Sequence, residues 1–135
     1  MVVAPLIQTY VVDTHSLVWY FTGGSNLSAA ARVAFDEIDQ GIALGIVPTI
    51  VLAEIVHLAE SKRITLSIQE TIARLQQATN FGIVPFDLMV LIHMIPLRTH
   101  ELHDRAIIAT AKSFNASLIT KDQHIRNSGV VSCVW

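Results

Sequence analysis

Short apolar runs rich in β-branched residues alternate along this chain with longer stretches that carry helical periodicity and helical stop signals. The runs are Tyr10-Val11-Val12, Ala43 to Val47, Ile83 to Phe86, Ser117 to Thr120 and Val130 to Val134. Between them the sequence predicts helices. His15 to Phe21 is broken by Gly23-Gly24. A second helix is capped by Ser28, runs to about Gln40 and is stopped by Gly41. Thr49 is placed to cap a helix through Glu60, after the turn at Pro48-Thr49. Ser67 with Glu70 forms a capping box for a helix to about Ala78. Asp87 caps Leu88 to Ile95, which Pro96 ends, and a last long helix spans His103 to Phe114 with Asn115 as its stop. Strand–helix alternation of this kind predicts an α/β fold of three layers, a mainly parallel five-stranded sheet flanked by helices. Its 135 residues make one domain, and no repeat, linker or low-complexity tract interrupts it.

Composition narrows the function classes. Hydrophobic residues make up 52% and charged residues 15%, against about 25% charged in an ordinary soluble domain. That shortage of polar surface predicts an apolar face reserved for a subunit or partner interface. A formal net charge of −2 argues against a basic scaffold that coats nucleic acid by charge alone. The single cysteine, Cys133, excludes an internal disulfide, and a reducing cytoplasm is the expected location. Met1 to Tyr10 lacks the basic start of a secretory leader. The longest apolar stretch, Ile42 to Ala53, is interrupted by Gly45, Pro48 and Thr49 and is too short to span a bilayer.

Four acids stand where an open parallel sheet gathers its chemistry, at the carboxyl ends of strands. Asp13 follows the first strand directly, and Asp122 lies just past the fourth. Asp104 opens the helix that leads into that fourth strand, and Glu54 lies in the helix after the second. Glu54 is the most telling, because Ile50-Val51-Leu52-Ala53-Glu54-Ile55-Val56-His57-Leu58-Ala59 is apolar nearly all round, the signature of a buried helix. A buried carboxylate needs a cation, a proton or a metal, and His57 is the only local partner. The competing reading is a glutamate reaching an exposed edge. The three aspartates have plain readings too: Asp13 and Asp122 as helix caps, Asp104 as a first-turn acid facing the helix dipole. As a set they point elsewhere. Clustered carboxylates resist joint ionisation, and a divalent cation resolves that conflict. All-oxygen ligands favour Mg²⁺ or Mn²⁺, and the chemistry that fits is phosphodiester hydrolysis by water. Set aside from a net charge of −2, the four acids leave a weakly positive remainder.

The segments Val11-Val12-Asp13-Thr14-His15, Leu52-Ala53-Glu54-Ile55, His103-Asp104-Arg105-Ala106-Ile107-Ile108-Ala109-Thr110-Ala111 and Leu118-Ile119-Thr120-Lys121-Asp122 resemble PIN domains, most of all VapC-like toxins of toxin–antitoxin pairs. The likeness extends over nearly the whole chain, with Ser61 to Leu102 the least constrained part. It implies a Mg²⁺- or Mn²⁺-dependent endoribonuclease, a homodimer and, often, a small inhibitory antitoxin. By motif, Asp13, Glu54, Asp104 and Asp122 match the family's acidic cluster, as catalytic residues and metal ligands. Thr120 matches the small hydroxyl residue near it.

Thr14, Arg105 and His103 are further candidates for substrate contact or for ordering the acids. Arg105 is read as meeting a phosphate or, preferably, forming a surface ion pair. Lys121 and Arg126 flank Asp122 as strand guides or solvated loop residues. His100 and His103 have an H-x-x-H spacing that, without a third ligand, is weak support for zinc. His15 adjoins a site acid, His57 and His93 are read as core histidines, and His124 as a surface one. Trp19, Tyr20 and Phe21 are read as core or interface packing in preference to base stacking, and Cys133 has no base beside it. Two other classes compete with a nuclease. One is a catalytically silent RNA- or protein-binding module on the same fold. The other is a phosphoacceptor domain using Asp87 and Lys121, which leaves Glu54 and Asp104 unexplained.

Overall fold

The structure, a computed structural model, describes residues 7–135. Most of the leader reading at Met1 to Tyr10 therefore lies outside the described residues. The order of elements is β1 (Gln8–Val12), α1 (Thr14–Phe21), α2 (Ala29–Asp39), β2 (Ala43–Pro48), α3 (Thr49–Glu60), α4 (Ile68–Gln77), β3 (Phe81–Val84), α5 (Leu88–Met94), α6 (Leu102–Ser113), β4 (Ser117–Ile119), α7 (Gln123–Ser128) and β5 (Cys133–Val134). The five strands form one sheet in the order β3-β2-β1-β4-β5, and every pairing is parallel. Parallel strands need crossovers, and helices supply them. Val11, Val12, Val47, Leu118 and Ile119 are fully buried. Neighbours along a strand point to opposite faces, so burial of both members of Val11-Val12 and of Leu118-Ile119 means that both faces are covered.

Three expected caps form. Ser28 accepts from the Ala31 N–H at 3.0 Å, Ser67 from Glu70 at 3.3 Å and Asp87 from Val90 at 3.1 Å. Asn115 stops α6 in the left-handed region, φ 51°, which asparagine tolerates. Thr49 departs from its expected role. β2 runs through Pro48 straight into α3, so Pro48 holds the cap position and supplies no side-chain bond. The Thr49 hydroxyl instead accepts from the Phe86 N–H at 3.2 Å, tying the start of α3 to the β3–α5 connection. The third strand begins two residues earlier than the sequence predicts and ends at Val84, before Pro85, whose ring nitrogen cannot join a ladder. The fifth strand is only Cys133–Val134, because Val130 is held by the Lys112 ammonium at its carbonyl and by the Ser128 hydroxyl at its N–H.

Apolar composition misleads for α3 and α5. α3 buries Val51, Leu52 and Ile55 but exposes Ala53 and His57, and Glu54 is half-buried. The expectation of a wholly buried helix is corrected: α3 has an open side, and Glu54 lies beside it. α5 buries Val90 and Met94 while Leu88, Met89, Leu91 and Ile92 are exposed, with Phe86 and Ile95 extending the same apolar tract. No helix among the described residues is long and apolar enough to cross a membrane.

Candidate active site

Strand order reverses direction at β1. Chain progress goes from β1 outward to β2 and β3, then returns to β4 on the other side. The carboxyl ends of β1 and β4 therefore flank the switch point, where a doubly wound sheet opens a crevice. Asp13 leaves β1 there, its N–H donating to the Ile119 carbonyl at 3.3 Å. Its Oδ1 accepts from the Ser16 N–H at 3.0 Å and caps α1, while the Ser16 hydroxyl donates to the Ile119 carbonyl at 3.1 Å. Asp122 repeats the arrangement after β4: its Oδ1 accepts from the Ile125 N–H at 2.9 Å and caps α7. The capping readings of these two aspartates are thus realised. Each cap uses one carboxylate oxygen, Oδ1. Thr120, fully buried, accepts the Asp122 N–H at 3.0 Å and bonds the Asp13 carboxylate.

Asp104 lies in the first turn of α6, backed by the buried run Ala106 to Ala111. Glu101, which the sequence reading passed over, caps this helix: its Oε1 accepts from the Asp104 N–H at 2.8 Å. Glutamate is outside the usual cap set, so only its position three residues ahead of Asp104 could have signalled it. Glu54 reaches the same place from the second turn of α3.

The four acids line one cleft of 430 Å³ together with Thr14, His15, Trp19, Ile107 and Lys121. Burial, then the charges of Glu101 and Asp122, a hydrogen bond that protonated Asp104 donates to Glu101 and the charge of Glu54 push the Asp104 carboxyl up to about 7. Burial also raises the Asp13 carboxyl above its ordinary value, against the pull of hydrogen bonds from Ser16 and Thr120 and the charge of His15.

Other candidates are redistributed. Arg105 forms no ion pair among the described residues. Its Nη2 donates to the Met94 carbonyl at 2.9 Å and its Nε is buried without a partner, so it staples α6 to the end of α5. His103 lies 3.4 Å from Glu101 and lines a neighbouring groove. The core histidine is neither His57, which is exposed, nor His93, which is half-buried and bonds the Met89 carbonyl at 2.8 Å. It is His100, at 5% exposure, its ring tilted against the His124 ring at 4.7 Å, with no partner on either ring nitrogen among the described residues. His100 thus turns to His124 and His103 to Glu101, which leaves the H-x-x-H pair without a shared ligand position. Asp87 lines a separate hollow with Val84 and Pro85, so a phosphoacceptor pair with Lys121 is not formed. Tyr20 stacks on Phe35 at 4.4 Å, and Arg74 covers the Phe21 ring at 4.2 Å, the packing role expected of them. Trp19 differs: it lines the cleft, near His15, Trp135 and the Lys121 ammonium. Burial raises the Cys133 thiol pKa, which suits an inert thiol.

The donors suit a hard cation. They are all oxygens, the helix caps on Asp13 and Asp122 take up only Oδ1, and among the described residues the Thr14 hydroxyl on the cleft wall is buried without a partner. Among the described residues no three His, Cys, Asp or Glu side chains converge closely enough to hold an ion by themselves. The cluster is open, and an open cluster fits Mg²⁺, which keeps several waters and binds through one or two carboxylates plus phosphate.

A model of the PIN domain family matches residues 10–130. No curated protein sequence matches the chain. Among solved structures the chain is similar to the VapBC2 complex of Rickettsia felis bound to a promoter DNA fragment, with a TM-score of 0.70 and 16% identity over 93% of this chain and 97% of that one. It is similar to a toxin–antitoxin complex from Klebsiella pneumoniae, with a TM-score of 0.63 and 21% identity over 90% and 94%. FitAcB from Neisseria gonorrhoeae gives a TM-score of 0.60 and 20% identity over 92% and 95%. At these identities the likeness concerns the fold.

Proposed function

The chain belongs to the PIN domain family, and from that premise we propose that it is a Mg²⁺- or Mn²⁺-dependent endoribonuclease, the VapC-like toxin of a cytoplasmic toxin–antitoxin pair. The observation that carries the reading is the meeting of Asp13, Glu54, Asp104 and Asp122, from four separate elements, in one cleft at the carboxyl edge of the sheet. Carboxylates from Asp13, Asp104 and Asp122, completed by waters and substrate phosphate, would hold the cation, and Glu54 would serve as a further ligand or accept a proton from water. A cation bound there would supply polarisation of the phosphodiester and a lowered pKa for the attacking water. Thr120 fixes the spacing of Asp13 and Asp122, and Thr14 is placed to donate to a phosphate oxygen. The caps on Asp13 and Asp122 hold each side chain in one rotamer, so little reorganisation is needed when substrate arrives.

The toxin–antitoxin assemblies among the structural neighbours support a small antitoxin as partner. The exposed apolar tract on α5 supports a homodimer. The openness of the acid cluster favours one alternative, a catalytically silent PIN-fold module that binds RNA or protein.

Purified protein tests both. The nuclease reading expects RNA cleavage that needs Mg²⁺ or Mn²⁺, stops with EDTA, leaves 5′-phosphate ends and is lost in Asp104→Asn. Cleavage that ignores EDTA and leaves cyclic phosphates overturns the mechanism. RNA or partner binding without cleavage, equal in wild type and Asp104→Asn, selects the silent module.

A further inference from the structure

A second groove, on the open side of α3, runs into the acid cleft: His15, Trp19 and Glu54 line both. Beyond that junction it is walled by Val18, Ala53, His57, Leu58, Arg63, Ile64 and His103, and among the described residues Glu54 at the junction is its only acid. We propose that this groove is the subsite for the nucleotides next to the scissile phosphate, with a base stacked on Trp19 and a flanking phosphate held by Arg63. The proposal rests on the nuclease reading and adds the residues that hold the strand beside the cut.

Local structure fixes Arg63 in place. α3 ends in a Schellman turn: the Lys62 N–H bonds the Ala59 carbonyl at 3.1 Å and the Arg63 N–H bonds the Leu58 carbonyl at 2.9 Å. Lys62 itself takes φ 59°, the left-handed residue such a turn requires. The turn sets Arg63 on the groove wall, exposed and without an ion pair among the described residues. At the other end, Trp19 is half-buried, close to the Lys121 ammonium and the His15 ring.

Charge and shape select the occupant. A polyanion reaching four carboxylates must be held by positive groups outside the cation, and Arg63 and Lys121 stand on either side of Trp19. Val18, Ala53, Leu58 and Ile64 make an apolar wall interrupted by His15, His57 and His103, a mixture that suits unstacked bases more than a phosphate backbone alone. A base–aromatic stack is tolerant of sequence and strong enough to anchor a strand. An A-form duplex keeps its bases stacked inside and cannot offer one to Trp19.

The test is binding of a fluorescein-labelled, unstructured oligoribonucleotide in EDTA, followed by anisotropy across a salt series. Arg63→Ala is expected to weaken binding severalfold and lower the slope of log affinity against log salt by about 0.7, one phosphate contact on a single strand. Trp19→Ala is expected to weaken binding about tenfold with the slope unchanged, and Trp19→Phe to recover most of it. Thermal melts matching wild type show that Arg63→Ala and Trp19→Phe are folded. Binding within twofold of wild type for both Arg63→Ala and Trp19→Ala overturns the subsite and leaves the nuclease reading standing. So does a loss confined to binding of a protein partner, which assigns the groove to that partner. Groove-dependent binding without metal-dependent cleavage in wild type keeps the groove as a single-strand RNA site but sinks the nuclease, and with it the placement beside a cut.

Discussion

The Thr120 hydroxyl accepts the backbone N–H of Asp122 at 3.0 Å. Its proton is left for the Asp13 carboxylate, so one buried group spans the ends of β1 and β4. Thr120→Val keeps shape and removes both bonds, leaving a buried N–H and a carboxylate oxygen without a partner. Urea unfolding is expected to show a loss of about 1–3 kcal/mol, and a Mn²⁺ titration a weaker site. Thr120→Ser keeps the hydroxyl and should stay within twofold of wild type in metal binding. Equal metal affinity and stability in Thr120→Val would show that the bridge is dispensable.

Asp13 caps α1 and lines the cleft, and two substitutions separate the roles. Asparagine caps a helix about as well as aspartate, so Asp13→Asn retains the bond from Ser16 while removing the charge. Cleavage is expected to fall about 100-fold or more, the scale of losing a preorganised charge at the reacting centre. The melting temperature should not fall, because burial already disfavours the ionised form. Asp13→Ala loses the cap as well and is expected to cost about 1 kcal/mol more in stability. Cleavage at the wild-type rate in Asp13→Asn would remove Asp13 from the machinery.

Asp104 gives the metal-free protein a pH signature. Its carboxyl sits at about 7 in the folded chain, against about 3.9 in an unfolded one. The folded state therefore holds this proton more tightly, and ionisation opposes folding. Stability should fall as pH rises from about 4 through 7 and then level off. A cation restores what is lost, so the rise in melting temperature on adding Mg²⁺ or Mn²⁺ should be larger at pH 8 than at pH 6. Asp104→Asn is expected to flatten this part of the pH profile and to melt higher than wild type at pH 8 without metal. A metal response independent of pH would separate Asp104 from the cation.

The strand ends made Asp13 and Asp122 legible, since both follow β-branched runs directly, and the caps at Ser28, Ser67 and Asp87 obey local chemistry. What the sequence hid depends on packing between distant elements. His57 lies among apolar neighbours in sequence and His100 among polar ones, yet the open side of α3 exposes the first and the α6–α7 corner buries the second. Arg105 follows Asp104 by one residue, which turns it about 100° round the helix and away from the cleft to Met94. An apolar helix implies enclosure at Glu54, but the open side of α3 borders a groove, so Glu54 is half-buried there.

Homodimer formation has its own test on α5. Ile92 is 47% exposed in an apolar tract that includes Leu88, Met89, Leu91 and Ile95. Surfaces of this kind mark contacts between proteins. Ile92→Glu places a charge there without entering the core, since Val90 and Met94 are the buried residues of this helix. Light scattering should show wild type as a dimer and Ile92→Glu as a folded monomer. An unchanged dimer would move the interface elsewhere.

Gly45 sets the register of the sheet edge that the sequence placed two residues late. A Cβ at this position would lie 2.6 Å from Phe81 Cε1 and 3.0 Å from Ile38 Cδ1, so the Phe81 ring packs where any side chain would stand. Its N–H also holds the Asn80 carbonyl at 2.8 Å, fixing where β3 begins. Gly45→Ala is expected to destabilise by about 1–3 kcal/mol through overpacking, with β3 and α4 loosening first in hydrogen exchange. Shortening the opposing ring separates this clash from a general loss of strand order. If the clash is the cause, Gly45→Ala/Phe81→Val should be more stable than the sum of the two single changes, because the sites are in contact and their effects do not add. Strict additivity in urea unfolding would mean that Gly45 is required for its backbone and not for the room it leaves to Phe81.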